Sequence, residues 1–239
     1  MNPWVAVLIT YFGCLWIGVL NGQLVAKCKL PPFIATLGTM TIARGIAQIV
    51  NNNYNTDSIG DGAEVFRNVF YYGKVFGLYN TIWIALVLWV IFNFILSKTR
   101  TGRHVYAIGS NIHAAHLSGV HIASTTTKVY IVSAICACTV GLITTATSGM
   151  GTMDAGTGYE MYAVAASVIG GVSTLGGQGI LLGTVVGASI WGVLQNGLQF
   201  AGAPVAIRNI VIGIIVVVSV LLDVIVRSNK TKIKARALK

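Results

Sequence analysis

The residues whose types could support chemistry gather in one polar segment, residues 97–128, between two long apolar runs. His113 and His116 lie three residues apart, a spacing that on a helix would let both imidazoles reach one metal ion. No cysteine or carboxylate accompanies them within this segment, and neutral histidines are ordinary at a cytoplasmic surface. The chain also lacks a Gly-x-Ser-x-Gly elbow, a His-Glu-x-x-His motif and a close carboxylate pair in its apolar runs. We therefore predict no catalytic residue and no metal site, and the chain is not expected to be an enzyme.

The composition indicates a membrane protein. Hydrophobic residues make up 55% of the chain and charged residues 9%, and the mean hydropathy is +0.77. Soluble proteins carry about 25% charged residues. The runs 75–97, 129–153 and 161–207 contain no Asp, Glu, Lys or Arg, so we predict an all-α, polytopic membrane protein. The net charge of +10 does not indicate nucleic-acid binding, because the cations flank apolar runs as the positive-inside bias requires.

The apolar runs predict about seven membrane segments within a transmembrane domain at residues 1–226, taking about 20 residues for a full span. Their expected bounds are 3–26, 33–50, 78–96, 129–148, 161–172, 180–200 and 207–226. The fifth covers only about 18 Å at 1.5 Å per residue, too short for a hydrocarbon core of about 30 Å. We therefore predict a short or broken helix there, followed by the glycine-rich turn 170–179.

The charges also predict an orientation. The loop 51–77 has a net charge of minus one and no excess of cations, so it is expected on the outer side. The loop 97–128 begins with Lys98, Arg100 and Arg103, and a basic tail at 227–239 carries six further cations, so both are expected in the cytoplasm. The N-terminus, which lacks the features of a signal peptide, is then expected outside.

Several glycines lie at positions that suit close packing. Gly179, Gly183 and Gly187 recur every four residues and predict a face of the sixth span that approaches a neighbouring helix closely. The turn before them is either a packing turn or a gate that lines the translocation path. The residues that would form such a gate are Gly170, Gly171, Ser173, Gly176 and Gly177. The turn is not a phosphate-binding loop, because no Lys follows it.

Ionisable residues are rare within the predicted spans. Arg44 lies inside the second apolar run, where a charge is costly, so it either snorkels to the interface or faces polar groups along the path. Asp223 precedes Arg227 by four residues, and we expect these two to pair along a helix. This scarcity of intramembrane charge weakens the hypothesis of a proton- or sodium-coupled secondary transporter.

The second half of the polar segment predicts a short helix. Asn111 is a good N-cap, Gly119 suits the position just past a helix C-terminus, and about two turns fit between them. Two turns are marginal in water, so such a helix needs a packing partner. Its small apolar faces suit a shallow cleft on another protein; the alternative is an interfacial helix lying on lipid headgroups.

Three groups of residues resemble the ribose-type sugar permeases of bacterial ATP-binding-cassette importers: Leu30–Gly45, Thr99–Asn111 with Ala114–Gly119, and Gly158–Ser173. The resemblance covers nearly the whole chain. It implies that the element which fits a cleft on the ATPase subunit is formed here by Asn111, Ala114, Ala115, Leu117, Ser118 and Gly119.

The same resemblance implies a function and its partners. The chain would be a multi-pass permease of the bacterial cytoplasmic (inner) membrane that imports a monosaccharide or a related polyol. ATP and Mg²⁺ would be bound by a separate ATPase subunit, and this chain would bind no cofactor itself. An extracytoplasmic sugar-binding protein and a second permease chain would complete the importer.

Two departures from the family pattern stand out. His113 and His116 replace the acidic and basic residues that usually flank the paired alanines, so charge complementarity with the ATPase is expected to be weaker or pH-dependent.

The second departure is in the number of helices. Family members have about ten membrane helices of roughly 20 residues. Roughly the first three, with a Gly-x-Asp-Leu-Ser-type motif, are expected to be missing here. A chain that starts at the fourth helix would start outside, as the charges require. A truncated, non-transporting remnant or membrane scaffold is therefore the main alternative function.

Overall fold

The computed structural model describes residues 2–60 and 63–237, with the side chains of all of these except residue 222 and residues 226–237. The regular elements of the described chain are α-helices, a two-stranded antiparallel hairpin of β1 (Lys74–Val75) with β2 (Leu78–Tyr79), and a π-helical turn, Asn68–Tyr72. The helices are α1 (Pro3–Ala26), α2 (Pro32–Val50), α3 (Glu64–Arg67), α4 (Asn80–Lys98), α5 (Arg100–Ser110), α6 (Ile112–Leu117), α7 (Ile122–Ser148), α8 (Tyr159–Ile169), α9 (Leu181–Phe200) and α10 (Val205–Ala237).

The all-α, polytopic membrane architecture is confirmed. In the described part of the chain, six helices are long and apolar enough to cross a membrane: α1, α2, α4, α7, α9 and the part of α10 from Val205 to Ile225. Helix α8 has 11 residues and is also apolar. It rises only about 16 Å, so it is the short helix that the sequence predicts.

Several predicted boundaries were wrong. The third span begins at Asn80 rather than residue 78, because Leu78 and Tyr79 pair with β1. Helix α7 begins at Ile122, seven residues before the apolar run, and the hydroxyl group of Thr127 is accommodated there by donating to the carbonyl oxygen of Ala123. The polar segment also contains a helix for which no prediction was made, α5 at Arg100–Ser110. The cytoplasmic tail at 227–239 stays a prediction, and α10 extends into it as far as Ala237.

The chain forms two compact units. The first comprises Met1–Ile108 and Ile112–Gly156, and the second comprises Gly109–Asn111 and Thr157–Lys239.

The first unit is organised by the pairing of α1 with α7. A Cβ added at Gly22 would lie 2.6 Å from the Cα of Thr127, and one added at Gly18 would lie 2.8 Å from the Cβ of Ala134. These two glycines therefore let the helix backbones approach closely. The outer part of this pair, with α3 and the π-helical turn, encloses a core of Val7, Ala63, Phe66, Phe70, Cys138, Leu142 and Ala146.

The second unit is built around α8, which packs against both α9 and α10. Its buried residues are Ala165 and Ala166 of α8, Trp191 of α9 and Ile212 of α10. Small side chains on α8 allow the large indole to lie against it, with the Tyr162 and Trp191 ring centroids 5.4 Å apart.

Candidate functional site

The short helix in the polar segment begins and ends at the residues that the sequence indicates. Helix α6 runs from Ile112 to Leu117, directly after Asn111. Gly119 follows with φ +79°, a left-handed conformation that favours glycine, and its N–H donates to the carbonyl oxygen of His116 at 3.0 Å. The next N–H, of Val120, donates to the carbonyl oxygen of Ala115 at 3.1 Å, so the helix end is closed by hydrogen bonds.

One side of helix α6 packs against the protein, and its other residues are exposed. Ala115 is 4% exposed and is the buried residue of the helix, which packs against α7. Ala114, His113 and His116 are exposed, and Leu117 keeps 87% of its surface exposed. An apolar side chain held in the open next to a small alanine can enter a shallow cleft on another molecule.

A concave surface adjoins α6 within the first unit. It is a cleft of about 1350 Å³, lined by the end of α1, the turn before α2, α6 and the start of α7. Lys27, Lys29 and Lys128 line it with His113, His116 and His121, and no acidic residue is among its lining side chains. The cations match the predicted cytoplasmic side, and the cleft favours a partner with an acidic surface.

The glycine-rich turn in the second unit is a closed, hydrogen-bonded structure. The N–H of Ser173 donates to the carbonyl oxygen of Gln178 at 2.9 Å, and the N–H of Gly176 donates to the carbonyl oxygen of Ser173 at 3.2 Å. Ser173 Oγ, which is buried, accepts a further bond from the N–H of Leu175 at 3.2 Å. Gly176 and Gly177 have φ of +90° and +72°, so side chains there would strain the turn.

Closely packed glycines join this turn to α9. A methyl group at Gly187 would overlap the carbonyl oxygen of Ala166, and one at Gly183 would overlap that of Gly170. Gly171, the next residue, takes φ +84°. Gly179 lies before α9 rather than within it, with φ +145° and an added Cβ 3.1 Å from Val172. The predicted packing and gate residues of this region thus lie together, whereas Arg44 is half-buried on α2 in the other unit.

The structure gives Asp223 a partner that the sequence does not indicate. Its Oδ2 accepts hydrogen bonds from the N–H of Thr174 at 3.2 Å and from Thr174 Oγ1 at 3.0 Å. The predicted partner, Arg227, has a side chain outside the described residues. The sequence offers no signal for the Thr174 contact, because 49 residues separate the two positions.

The glycine-rich turn also lies directly against the residues that precede α6. A Cβ added at Gly176 would lie 3.0 Å from the carbonyl oxygen of Gly109, and one added at Gly177 would lie 2.6 Å from the nitrogen of Ser110. Backbone therefore meets backbone here, with no room for a side chain on the turn. Gly109, Ser110 and Asn111 belong to the same compact unit as the turn.

The loop after α2, which is predicted on the outer side, meets the connector after α7 in the first unit. The N–H of Thr56 donates to the carbonyl oxygen of Gly151 at 2.9 Å, and Thr56 Oγ1 accepts from the N–H of Gly151 at 2.7 Å. The N–H of Ile59 donates to the carbonyl oxygen of Gly149 at 2.8 Å. Arg67 Nε donates to the carbonyl oxygen of Ala146, in the last turn of α7, at 3.3 Å. The loop after α2 and the connector after α7 thus form one surface; Asp61 of this loop lies outside the described residues.

A cavity of about 830 Å³ lies beneath that surface, between the first half of α1 and the second half of α7. Its lining is mostly apolar, with polar groups from Thr10, Thr144, Thr145 and Ser148. None of the path residues predicted from the sequence lines this cavity. The described residues contain no group of three His, Cys, Asp or Glu side chains placed to hold a metal ion.

Comparison with known proteins relates this architecture to sugar permeases. Residues 1–220 match the family model described as "Branched-chain amino acid transport system / permease component". The chain is 35% identical over 225 residues to the ribose import permease protein RbsC of Bacillus subtilis (strain 168), covering 93% of this chain and 69% of the relative. It is 34% identical over 207 residues to the D-allose transport system permease protein AlsC of Escherichia coli (strain K12), covering 87% and 62%. The L-arabinose transport system permease protein AraH of the same strain is 33% identical over 230 residues, covering 91% and 69%.

These relatives are longer than the chain. The chain spans 62% to 69% of their lengths, and 64% of the ribose import permease protein RbsC of Haemophilus influenzae (strain ATCC 51907 / DSM 11121 / KW20 / Rd). No solved structure matches it. The family match over most of the chain, the relatives' identities and the six long apolar helices lead to one conclusion. The chain belongs to the sugar-permease family of ATP-binding-cassette importers and is a multi-pass protein of the bacterial cytoplasmic membrane.

Proposed function

We propose that this chain is the transmembrane permease subunit of an importer for a monosaccharide or a related polyol, driven by a separate ATPase subunit. The observation that carries the proposal is the geometry of α6, a two-turn helix anchored by buried Ala115 that leaves Leu117 almost fully exposed. A helix this short is not stable alone, so its native contacts must hold it in place while its open side remains available.

The ATPase subunit would bind that open side. Asn111, Ala114, Leu117, Ser118 and Gly119 would lie at the interface, and Ala115 would hold the helix on α7. The basic cleft beside α6 supports this arrangement, since its lysines would complement acidic groups on the ATPase. ATP and Mg²⁺ belong to the ATPase subunit, and the permease binds no cofactor.

The outer surface would receive the sugar from an extracytoplasmic binding protein. The hydrogen bonds between Thr56 and Gly151 support a shared docking surface made by the loop after α2 and the connector after α7. A second permease chain would complete the translocation path. Arg44 and the glycine-rich turn remain the proposed path and gate residues.

Reconstitution in proteoliposomes tests this function. The chain is combined with candidate ATPase and sugar-binding subunits from the same genome, and uptake of labelled ribose, allose, arabinose and a polyol is measured with and without ATP. We expect uptake of one of these sugars that requires ATP and both partners. Uptake that persists without ATP would instead establish a secondary transporter. Binding of the ATPase without any uptake would establish the non-transporting scaffold.

A paired substitution in α6 tests the docking surface within the same assay. Ala114 is exposed, so Ala114→Trp should block ATPase binding without unfolding the chain, whereas Ala114→Ser should bind normally. Equal ATPase binding by both variants would contradict the proposed interface.

A further inference from the structure

Asp223 is the starting point, because it is the one acidic residue in the six candidate spans found among the described residues. It lies two residues before the end of the span Val205–Ile225, and an ionisable side chain within a membrane span normally has polar partners. Thr174 supplies two such partners, with its N–H and its hydroxyl group both donating to Oδ2 of Asp223. Hydrogen bonds to a carboxylate are about twice as strong as those between neutral groups.

These bonds connect α10 to the glycine-rich turn. Thr174 lies between Ser173, whose N–H closes the turn on Gln178, and the two glycines that meet the end of α5. The turn is short and internally hydrogen-bonded, so a displacement at Thr174 must displace Gly176 and Gly177 with it.

The opposite side of the turn holds the residues from which α6 starts. Gly177 lies against Ser110 with no room for a side chain, and Ser110 is separated from the first residue of α6 only by Asn111. Gly170, at the start of the turn, is packed in the same way against Gly183 of α9. The turn is thus fixed to α10, to α9 and to the end of α5 at once.

We propose that Asp223 is a positioning residue: by holding Thr174, it keeps the glycine-rich turn against Gly109 and Ser110, the residues that lead into α6. This inference rests on the proposed function, because Gly109 and Ser110 matter for transport only if the helix that follows them docks the ATPase. It adds a chemical requirement, a carboxylate at 223 and a hydroxyl group at 174.

Amide hydrogen exchange of the full chain in lipid nanodiscs tests the proposal without any partner. The variants are Thr174→Val, which removes the hydroxyl group, Thr174→Ser, which retains it, and Asp223→Asn. Losing a bond to a charged group should speed exchange roughly tenfold or more. We expect Thr174→Val and Asp223→Asn to exchange faster than the wild type both at 173–178 and at 109–111. Thr174→Ser should exchange as the wild type does. Exchange at residues 131–142 of α7 should be the same in all variants.

Faster exchange confined to 173–178 would overturn the proposal, because Asp223 would then stabilise only its own turn. Unchanged exchange in both segments would also overturn it. If Asp223→Asn unfolds the chain, the comparison of Thr174→Val with Thr174→Ser still tests the proposal, because both variants keep the carboxylate of Asp223.

The reconstituted importer gives a second readout that a merely structural role would not change. Thr174→Val should bind the ATPase as the wild type does but transport at least fivefold less sugar per ATP hydrolysed, and Thr174→Ser should restore that ratio. An unchanged ratio for Thr174→Val overturns the role of this contact in transport. If the wild-type chain binds no ATPase, the proposed function is refuted. The exchange result then still tests whether Asp223 holds the turn.

Discussion

Gly187 on α9 offers a sharp test of the packing in the second unit. A methyl group there would overlap the carbonyl oxygen of Ala166 and lie 2.6 Å from the nitrogen of Gly170. Both obstacles are backbone atoms, so no side-chain rotation can relieve the overlap. Gly192 lies on the same helix, and an added Cβ there meets no atom within 4 Å. The pair Gly187→Ala and Gly192→Ala therefore introduces the same group into the same helix in two different surroundings.

The magnitude follows from comparing the two variants. Replacing glycine by alanine within a helix favours the helix by up to about 1 kcal/mol at either position. This contribution cancels in the comparison, which leaves the cost of forcing α8 and α9 apart. Overpacking of this kind costs about 1–3 kcal/mol. We expect the free energy of unfolding of Gly187→Ala to be lower than that of Gly192→Ala by this amount.

Equilibrium unfolding in mixed detergent micelles, followed by far-ultraviolet circular dichroism, measures this difference. Wild-type protein and Gly192→Ala are the references for expression and for helix content before unfolding. Equal stability of the two alanine variants, within about 0.5 kcal/mol, would refute the close approach of α8 and α9. A larger loss at Gly192 than at Gly187 would refute it as well.

Two further substitutions test the first unit. Gly22→Ala should lower the free energy of unfolding by about 1–3 kcal/mol relative to Gly13→Ala. The reason is that a Cβ at Gly22 meets the backbone of Thr127, whereas one at Gly13 meets nothing within 4 Å. Equal unfolding curves would contradict the α1–α7 contact. Arg67→Met removes the hydrogen bond to the carbonyl oxygen of Ala146 and a cation at the C-terminus of α7, which is worth about 0.3–1 kcal/mol. Amide exchange at 145–149 should quicken accordingly, and exchange equal to the wild type would show that this bond does not hold the helix end.

The membrane spans could be predicted from the sequence because each depends on one local property, a long run without charge. Their ends could not, since they depend on hydrogen bonds that composition does not reveal. Thr127 lies outside the apolar run, yet its hydroxyl group bonds to the backbone and it belongs to α7. Helix α5 is missed for a related reason: its sequence is too polar and too short to register as a span.

The candidate site, too, could be predicted from the sequence only in part. Asn111 and Gly119 delimit α6 correctly because caps are local signals. The Gly18-x-x-x-Gly22 pattern was also a usable signal for the α1–α7 contact, at the same spacing that marked Gly183 and Gly187. The bond between Asp223 and Thr174 had no such signal, because the sequence suggests only the nearby Arg227 as a partner and the distant Thr174 is revealed by the fold.

The most direct test of the proposed function asks whether the ATPase subunit binds at Leu117. This side chain is 87% exposed, so Leu117→Asp should leave the stability of the chain unchanged. Phe76→Asp is the matched control, because Phe76 is 93% exposed and lies in the hairpin on the predicted outer side. Co-purification of the ATPase with the permease should fall about tenfold or more for Leu117→Asp and remain at the wild-type level for Phe76→Asp. Equal recovery of the ATPase with both variants would contradict the assignment of α6 as its docking helix.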